Sequence, residues 1–187
     1  MLRYLLFAGL FFPLLLPAQS DSSKTSIQLI RITSKDSIIS ISESVKKQLV
    51  TALQRNQKQP AGLRLRLEQK NQSIRNDISR WLAYRNKTNL LRVNLGTLVS
   101  KYIGETEKNL EQLFSNAVKS NTTLFFDEAD ALFGKRSSTA EENTDRENAI
   151  IYFLKQIALF KGMVIIQCTG EDCDTRLEKL RFTRIAD

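Results

Sequence analysis

Histidine is absent from this 187-residue chain, which excludes zinc sites built on imidazole and catalytic triads that use histidine as base. Glycine is sparse, seven in all, and none stands between Gly62 and Gly96. A backbone that wraps tightly round a phosphate needs glycine, because a Cβ obstructs both the required dihedrals and the approach of the ligand. That stretch therefore excludes a glycine-rich phosphate loop of the ordinary kind. Cysteine is limited to Cys168 and Cys173. They can pair if a turn lies between them, and two free buried thiols are the equal alternative. The N-terminal apolar run, Tyr4 to Leu16, is too short to span a bilayer comfortably and is broken by Pro13.

What is present begins with charge. The formal net charge is +8, and the excess is concentrated. Residues 46–92 hold twelve Lys or Arg against two acids, Glu68 and Asp77. Such a stretch can mark a nucleic-acid or anionic-membrane partner, but solvated helix faces are the favoured reading, and nucleic acid is set aside as a partner. At the N-terminus Arg3, the apolar run and Ala18-Gln19-Ser20 have the form of an export signal, with small residues placed for a cut after Ser20 and a cut after Ala18 as the alternative. Cleaved export is expected, to the periplasm or beyond, with an N-terminal membrane anchor as the alternative.

The chain divides into a signal at 1–20, a linker and short β-hairpin at 21–41, and an α/β domain at 42–187. The hairpin is expected from Ile27-Gln28-Leu29-Ile30-Arg31-Ile32 and Ser37-Ile38-Ile39-Ser40-Ile41. Ser40 or Ser42 is placed to cap a helix carrying Val45, Leu49 and Leu53. Leu63-Arg64-Leu65-Arg66-Leu67 alternates strictly and reads as a half-exposed strand. A helix over 74–86 turns Ile78, Trp81 and Leu82 inward. A strand over 90–95 precedes a helix over 107–120 with Leu110, Leu113, Phe114 and Ala117 as its stripe. Buried strands at 122–126 and 163–168 flank a helix over 146–160 carrying Ile150, Phe153, Leu154 and Ile157. Strands alternating with helices predict a parallel sheet covered on both faces.

The richest segment is Leu124-Phe125-Phe126-Asp127-Glu128-Ala129-Asp130. An apolar strand runs directly into adjacent carboxylates, and side chains at the C-terminal ends of parallel strands face the ligand crevice. Asp127 is placed to hold Mg²⁺ through water, and Glu128 to orient and deprotonate an attacking water. A capped polar turn is the plainer alternative for this segment taken alone.

Upstream stands Val99-Ser100-Lys101-Tyr102-Ile103-Gly104-Glu105-Thr106-Glu107-Lys108-Asn109-Leu110, and the acidic segment continues into Asp130-Ala131-Leu132-Phe133-Gly134-Lys135-Arg136. Together these resemble the AAA+ ATPase family, in particular its bacterial branch with SKYIGETEKNL and DEADALFGKR motifs. The resemblance covers about 90–182 and, more weakly, 42–89. It implies a three-layer α/β/α parallel sheet of the P-loop NTPase type, with ATP and Mg²⁺ as cofactors. It also implies a pore loop, here Tyr102-Ile103-Gly104, that grips a polypeptide, and assembly into a homo-oligomer. Tyr gives a flat apolar contact there, and Gly lets the loop bend close to a substrate chain.

The resemblance implies a phosphate loop as well. Counting back without gaps from the strand at 90 places it on Gln69-Lys70-Asn71-Gln72-Ser73-Ile74-Arg75-Asn76. Arg75 stands at the lysine position, Asn76 at the hydroxyl position, and Ser73 offers a hydroxyl nearby. Thr169-Gly170 follows the strand that should end in a polar sensor. Glu178-Lys179 stands where paired arginines are expected, flanked by Arg176 and Arg181. The chain reaches Asp187 without the helical lid of the family. The expected function is an exported, catalytically degenerate AAA+-like binding or scaffolding module with a protein or peptide partner. An active ATPase using Asp127 and Glu128, and a basic nucleic-acid or anionic-surface module, are the alternatives.

Overall fold

Every residue of Thr122–Asp127 is buried, so this strand must be covered on both faces and flanked on both edges. The computed structural model describes residues 27–56, 62–96, 106–134 and 140–187 and supplies that cover. Six strands are defined: β1 (Ile27–Ile30), β2 (Arg64–Leu67), β3 (Asn89–Asn94), β4 (Thr122–Asp127), β5 (Val164–Gln167) and β6 (Thr183–Ile185). They form one sheet in the order β1-β3-β4-β5-β2-β6. All neighbours are parallel except β1, which runs antiparallel to β3 with Ile27 opposite Val93.

The helices are α1 (Glu43–Asn56), α2 (Gln72–Arg85), α3 (Thr106–Lys119), α4 (Asp130–Phe133), α5 (Ala140–Leu159) and α6 (Glu171–Leu177). Successive side chains of a strand point to opposite faces, so the sheet feeds two cores. Phe125, Ile165, Leu65, Leu67 and Ile185 meet Val45, Leu49, Ile78 and Leu82 of α1 and α2. Phe126, Ile166 and Val93 meet Leu110, Phe114, Phe153 and Ile157 of α3 and α5. The second core is aromatic, with Phe126 and Phe153 edge to face at 4.8 Å and Phe114 beside both. The architecture is the expected three-layer α/β/α sheet.

Three local expectations are corrected. The strand around Leu65 is not half-exposed. It sits between β5 and β6, with Leu65 and Leu67 fully buried and Arg66 4% exposed. Its arginines imitate a solvent face, but they turn inward to orphan carbonyls. Arg64 Nη2 donates to Ile157 O and Ala158 O at the C-terminal end of α5, and burial pushes the Arg64 pKa down. Arg66 Nε donates to Cys168 O at 2.9 Å, and its Nη1 to Asp174.

The N-terminal hairpin is not formed either. β1 pairs with β3, and Ser34–Ile38 is a 3-10 helix. Asp36 winds it, accepting from Thr33 N at 2.7 Å and from Arg80 Nε of α2 at 2.7 Å. Finally, α2 begins at Gln72 rather than Ile74, and α5 begins at Ala140 rather than Arg146. The strand β6 was not anticipated. Gly62 marks the entry to β2, where a Cβ would fall 2.2 Å from Gly162 O.

The basic stretch over 46–92 divides: Lys46, Lys47, Arg55, Lys70, Arg85 and Lys87 stand exposed, as the solvated reading expects, while several arginines turn to partners within the protein. Arg64, Arg66, Arg75, Arg80 and Arg92 all donate to protein acceptors, and Arg85 lies over the Trp81 ring at 5.5 Å. Among the described residues no helix is long and apolar enough to cross a membrane. The apolar run at 4–16 and the cut at Ser20 lie outside the described residues.

Candidate functional site

The site is assembled at the C-terminal edge of the sheet, where β3 and β4 are in register with Asn94 opposite Asp127. Alternation along β4 sends Phe126 to the α3–α5 core, so Asp127 faces α2 and is wholly buried. Arg92 of β3 shares that face, and Arg75 of α2 approaches from above.

These three side chains form one ionic cluster. Arg75 Nε donates to Asp127 Oδ1 at 3.0 Å, and Arg92 Nη2 donates to Asp127 Oδ2 at 2.5 Å. Each carboxylate oxygen thus has a guanidinium of its own. Arg75 Nη1 reaches the other way, donating to Gln69 O at 3.1 Å and Lys70 O at 2.6 Å. The Arg75 head therefore fills the space between the carboxylate and the loop that leads from β2 to α2. Arg75 and Asp127 are buried, while the Arg92 side chain keeps 18% of its exposure.

The start of α2 is closed in a second way. Asn71 is its N-cap, and its side-chain oxygen accepts from Ser73 N at 2.8 Å and Ile74 N at 3.4 Å. Those amides belong to the orphan donors that make a helix start an anion site. Here the chain's own amide occupies them. Ser73 is exposed, and Asn76 keeps a buried Oδ1 without a hydrogen-bond partner. Of the residues expected to contact nucleotide, Arg75 lies against Asp127, Ser73 lies in the capped first turn of α2, and Asn76 lies one residue past Arg75 on α2.

Glu128 differs from its neighbour in every respect. It is exposed and holds a left-handed backbone, φ 58°, a conformation that is strained for a residue with a Cβ. Its amide donates to Gln167 Oε1 at 3.0 Å, and Ala129 N donates to Gln167 O at 3.1 Å. Its carboxylate lies against Gly96, where a Cβ would come within 2.9 Å of Glu128 Oε2. The residue sequence reasoning missed is Gln167. An amide does stand at the end of β5 beside Glu128, two positions before Thr169. The signal was a lone polar residue in Val164-Ile165-Ile166-Gln167.

Thr169 instead braces the acidic turn, its amide donating to Asp130 Oδ1 at 2.9 Å. Cys168 and Cys173 form a disulfide across the β5–α6 connection, with Cα atoms 6.0 Å apart. Arg176 makes a bidentate pair with Glu147 of α5 at 2.5 and 2.8 Å, and that hydrogen-bonded partner raises its pKa. Arg181 is exposed at the end of the 3-10 helix Glu178–Leu180, in the left-handed region at φ 54°. Tyr102, Ile103 and Gly104 lie outside the described residues.

The family model described as "ATPase family associated with various cellular activities (AAA)" matches residues 77–187. An uncharacterized AAA family ATPase of Sinorhizobium fredii is 42% identical over 78 residues, 41% of this chain and 23% of that protein. The ribosome biogenesis ATPase RIX7 of Saccharomyces cerevisiae is 29% identical over 95 residues, half of this chain and 11% of the relative. The chain thus spans less than a quarter of the length of either relative. Among solved structures, the crystal structure of the FIGL-1 AAA domain superimposes with a TM-score of 0.59 at 21% identity, covering 85% of this chain and 58% of the other. At that identity the superposition speaks to fold.

Proposed function

From the premise that this chain belongs to the AAA family of ATPases, we propose that it is a member whose nucleotide site is filled by its own arginines. In this reading it acts as a non-hydrolysing binding or scaffolding module. The observation that carries the reading is the triad Arg75–Asp127–Arg92. A catalytic site of this kind needs Asp127 for Mg²⁺ and a lysine-bearing, glycine-rich loop for phosphate. Here both carboxylate oxygens accept from guanidinium groups, and the Arg75 head lies between the carboxylate and the loop carbonyls.

Charge arithmetic supports the same conclusion. A divalent cation brought to Asp127 gains attraction from one carboxylate and meets two guanidinium charges. At about 4 Å and an effective dielectric of about 20, a single charge pair is worth roughly 4 kcal/mol. Each guanidinium opposes that attraction, the more strongly the closer it stands to the ion. The residues present do not fit a Mg²⁺–nucleotide complex in this arrangement, so no hydrolytic step is assigned to Glu128. The chain's retained binding element is Tyr102-Ile103-Gly104, which would contact an extended polypeptide. The inward use of Arg64, Arg66, Arg75 and Arg92 removes those four charges from any nucleic-acid surface. Export through the N-terminal run at 1–20 belongs to the same reading.

Calorimetric titration of the chain with ATP and Mg²⁺ tests it. No saturable binding is expected at sub-millimolar nucleotide. Micromolar binding that Glu128→Gln preserves while hydrolysis disappears would establish an active ATPase instead. Tyr102→Ala should then weaken cross-linking to bound peptide and leave folding unchanged.

A further inference from the structure

Asp130, Cys168 and Cys173 come together at the junction of the acidic turn with the β5–α6 connection. One ligand atom from each lies within 4.8 Å of the others. Both cysteines are fully buried, and the only role described for them so far is their disulfide. We propose that, when the disulfide is reduced, these three side chains form a binding site for a thiophilic divalent cation of the Zn²⁺ or Cd²⁺ type.

The geometry suits such an ion. Tetrahedral zinc bonds of about 2.3 Å to sulfur and 2.0 Å to oxygen require a sulfur–oxygen edge of about 3.5 Å. Cys173 Sγ lies 3.3 Å from Asp130 Oδ1. The Cα atoms of the two cysteines are 6.0 Å apart, so the released sulfurs can separate by rotation about their side-chain bonds. Ligating carboxylates are commonly held by a hydrogen-bond donor behind them, and Thr169 N fills that place at 2.9 Å from Asp130 Oδ1. Arg66, almost fully buried, holds Cys168 O at 2.9 Å and so fixes the backbone that carries the first thiol, its charge being paired with Asp174 and Glu68. A fourth position is left for water or an added ligand.

The chemistry closes without an unnamed partner. A phosphine reductant, oxidised to its oxide with oxygen from water, converts the disulfide to two thiols. The metal then displaces both thiol protons, and disulfide and metal exclude one another. A bound ion would join the start of α4, through Asp130, to the β5–α6 connection. That cross-brace spans the edge of the sheet where Asp127 is neutralised by arginine. It is independent of whether nucleotide binds.

The test is titration of the phosphine-reduced full chain with Cd²⁺ under anaerobic conditions, followed by the thiolate-to-cadmium ultraviolet absorption. One ion per chain is expected, with no band in the oxidised chain. Cys168→Ser and Cys173→Ser should each abolish the site. Asp130→Asn should weaken binding at least about tenfold, by the scale of losses at metal-site partners. If the reduced chain loses structure, one equivalent of Cd²⁺ or Zn²⁺ should restore its far-ultraviolet dichroism. Absence of both the band and the recovery would overturn the proposal. So would a stoichiometry of one ion per two chains, or an affinity unchanged by Asp130→Asn.

Discussion

Replacing Asp127 by asparagine separates a metal-holding carboxylate from one that has become part of the protein's own framework. A carboxylate kept for Mg²⁺ is a liability to the folded chain alone, so its neutralisation leaves stability unchanged or raises it. The triad gives the opposite expectation. Asparagine preserves shape, but it removes the charge and turns an NH₂ donor toward one of the two guanidinium groups. Arg75 is then left buried without a counter-ion, and removal of one partner from a buried pair costs about 3–5 kcal/mol. The Arg92 side chain keeps 18% exposure and recovers some hydration, so the lower end, about 3 kcal/mol, is expected. For a domain of this size that corresponds to a fall in melting temperature of about 6–12 °C.

Urea unfolding followed by far-ultraviolet dichroism measures the loss, with Glu128→Gln as the exposed neighbour expected to stay within about 0.5 kcal/mol. Adding Arg75→Met to Asp127→Asn should return part of the loss, a coupling of about 1–3 kcal/mol. An Asp127→Asn chain as stable as the parent, or more so, would refute the idea that the arginines own this carboxylate.

Four further outcomes are expected. Burial pushes the Asp36 pKa up, but the Thr33 amide and Arg80 outweigh it, so the net shift is downward. Its contribution is therefore present above the unfolded value, about 3.9, and is lost as pH falls through the lower folded value. The stability gap between the parent and Asp36→Asn, measured by urea unfolding, should narrow below about pH 4. Gly62→Ala should destabilise strongly, since its Cβ would meet backbone atoms of Lys161 and Gly162; a change below about 0.5 kcal/mol in thermal unfolding would count against that close approach. Phe153→Ala, which empties the centre of the aromatic core, should cost about 3–5 kcal/mol by the same measurement. Reduction of Cys168–Cys173 without metal should lower stability by about 2 kcal/mol, the loop-closure value for so short a loop.

The legible parts of this fold were those where one physical demand dominated. The run Leu124-Phe125-Phe126 could only be a buried strand, and the acids after it could only stand at its edge. The stripes of α3 and α5 were equally plain. The rest was hidden where a residue type served an unusual end. Arg64 and Arg66 gave β2 the alternation of a half-exposed strand, because a charged head buried on a backbone carbonyl looks in sequence like one facing water. Ser37 to Ile41 had strand propensity, yet Asp36 wound its first residues into a 3-10 turn through contacts to Thr33 and Arg80. β6 was too short, with Arg184 at its centre, to carry a periodic signal. At the site, glycine absence drew attention to residues 69–76, but nothing in Arg75 alone announced that its head would lie on Asp127. That pairing joins residues 52 positions apart and depends on the register of α2 over β4. Gln167 escaped because the polar residue was sought after the strand rather than in its last position.

The Asn71 cap and the Arg75 head have a consequence for mass action. A separate cation or phosphate competes for a site according to its concentration. A group tethered a few residues away competes at an effective concentration fixed by the chain, millimolar or above for short tethers, which no dilution lowers. The β2–α2 connection has made the occupant of its own site intramolecular. Under the proposed function, ligand-linked stabilisation, which grows as the logarithm of free ligand, is pushed to higher nucleotide concentration by the factor the tethered groups impose. On that proposal the melting temperature should be nearly unchanged by sub-millimolar nucleotide.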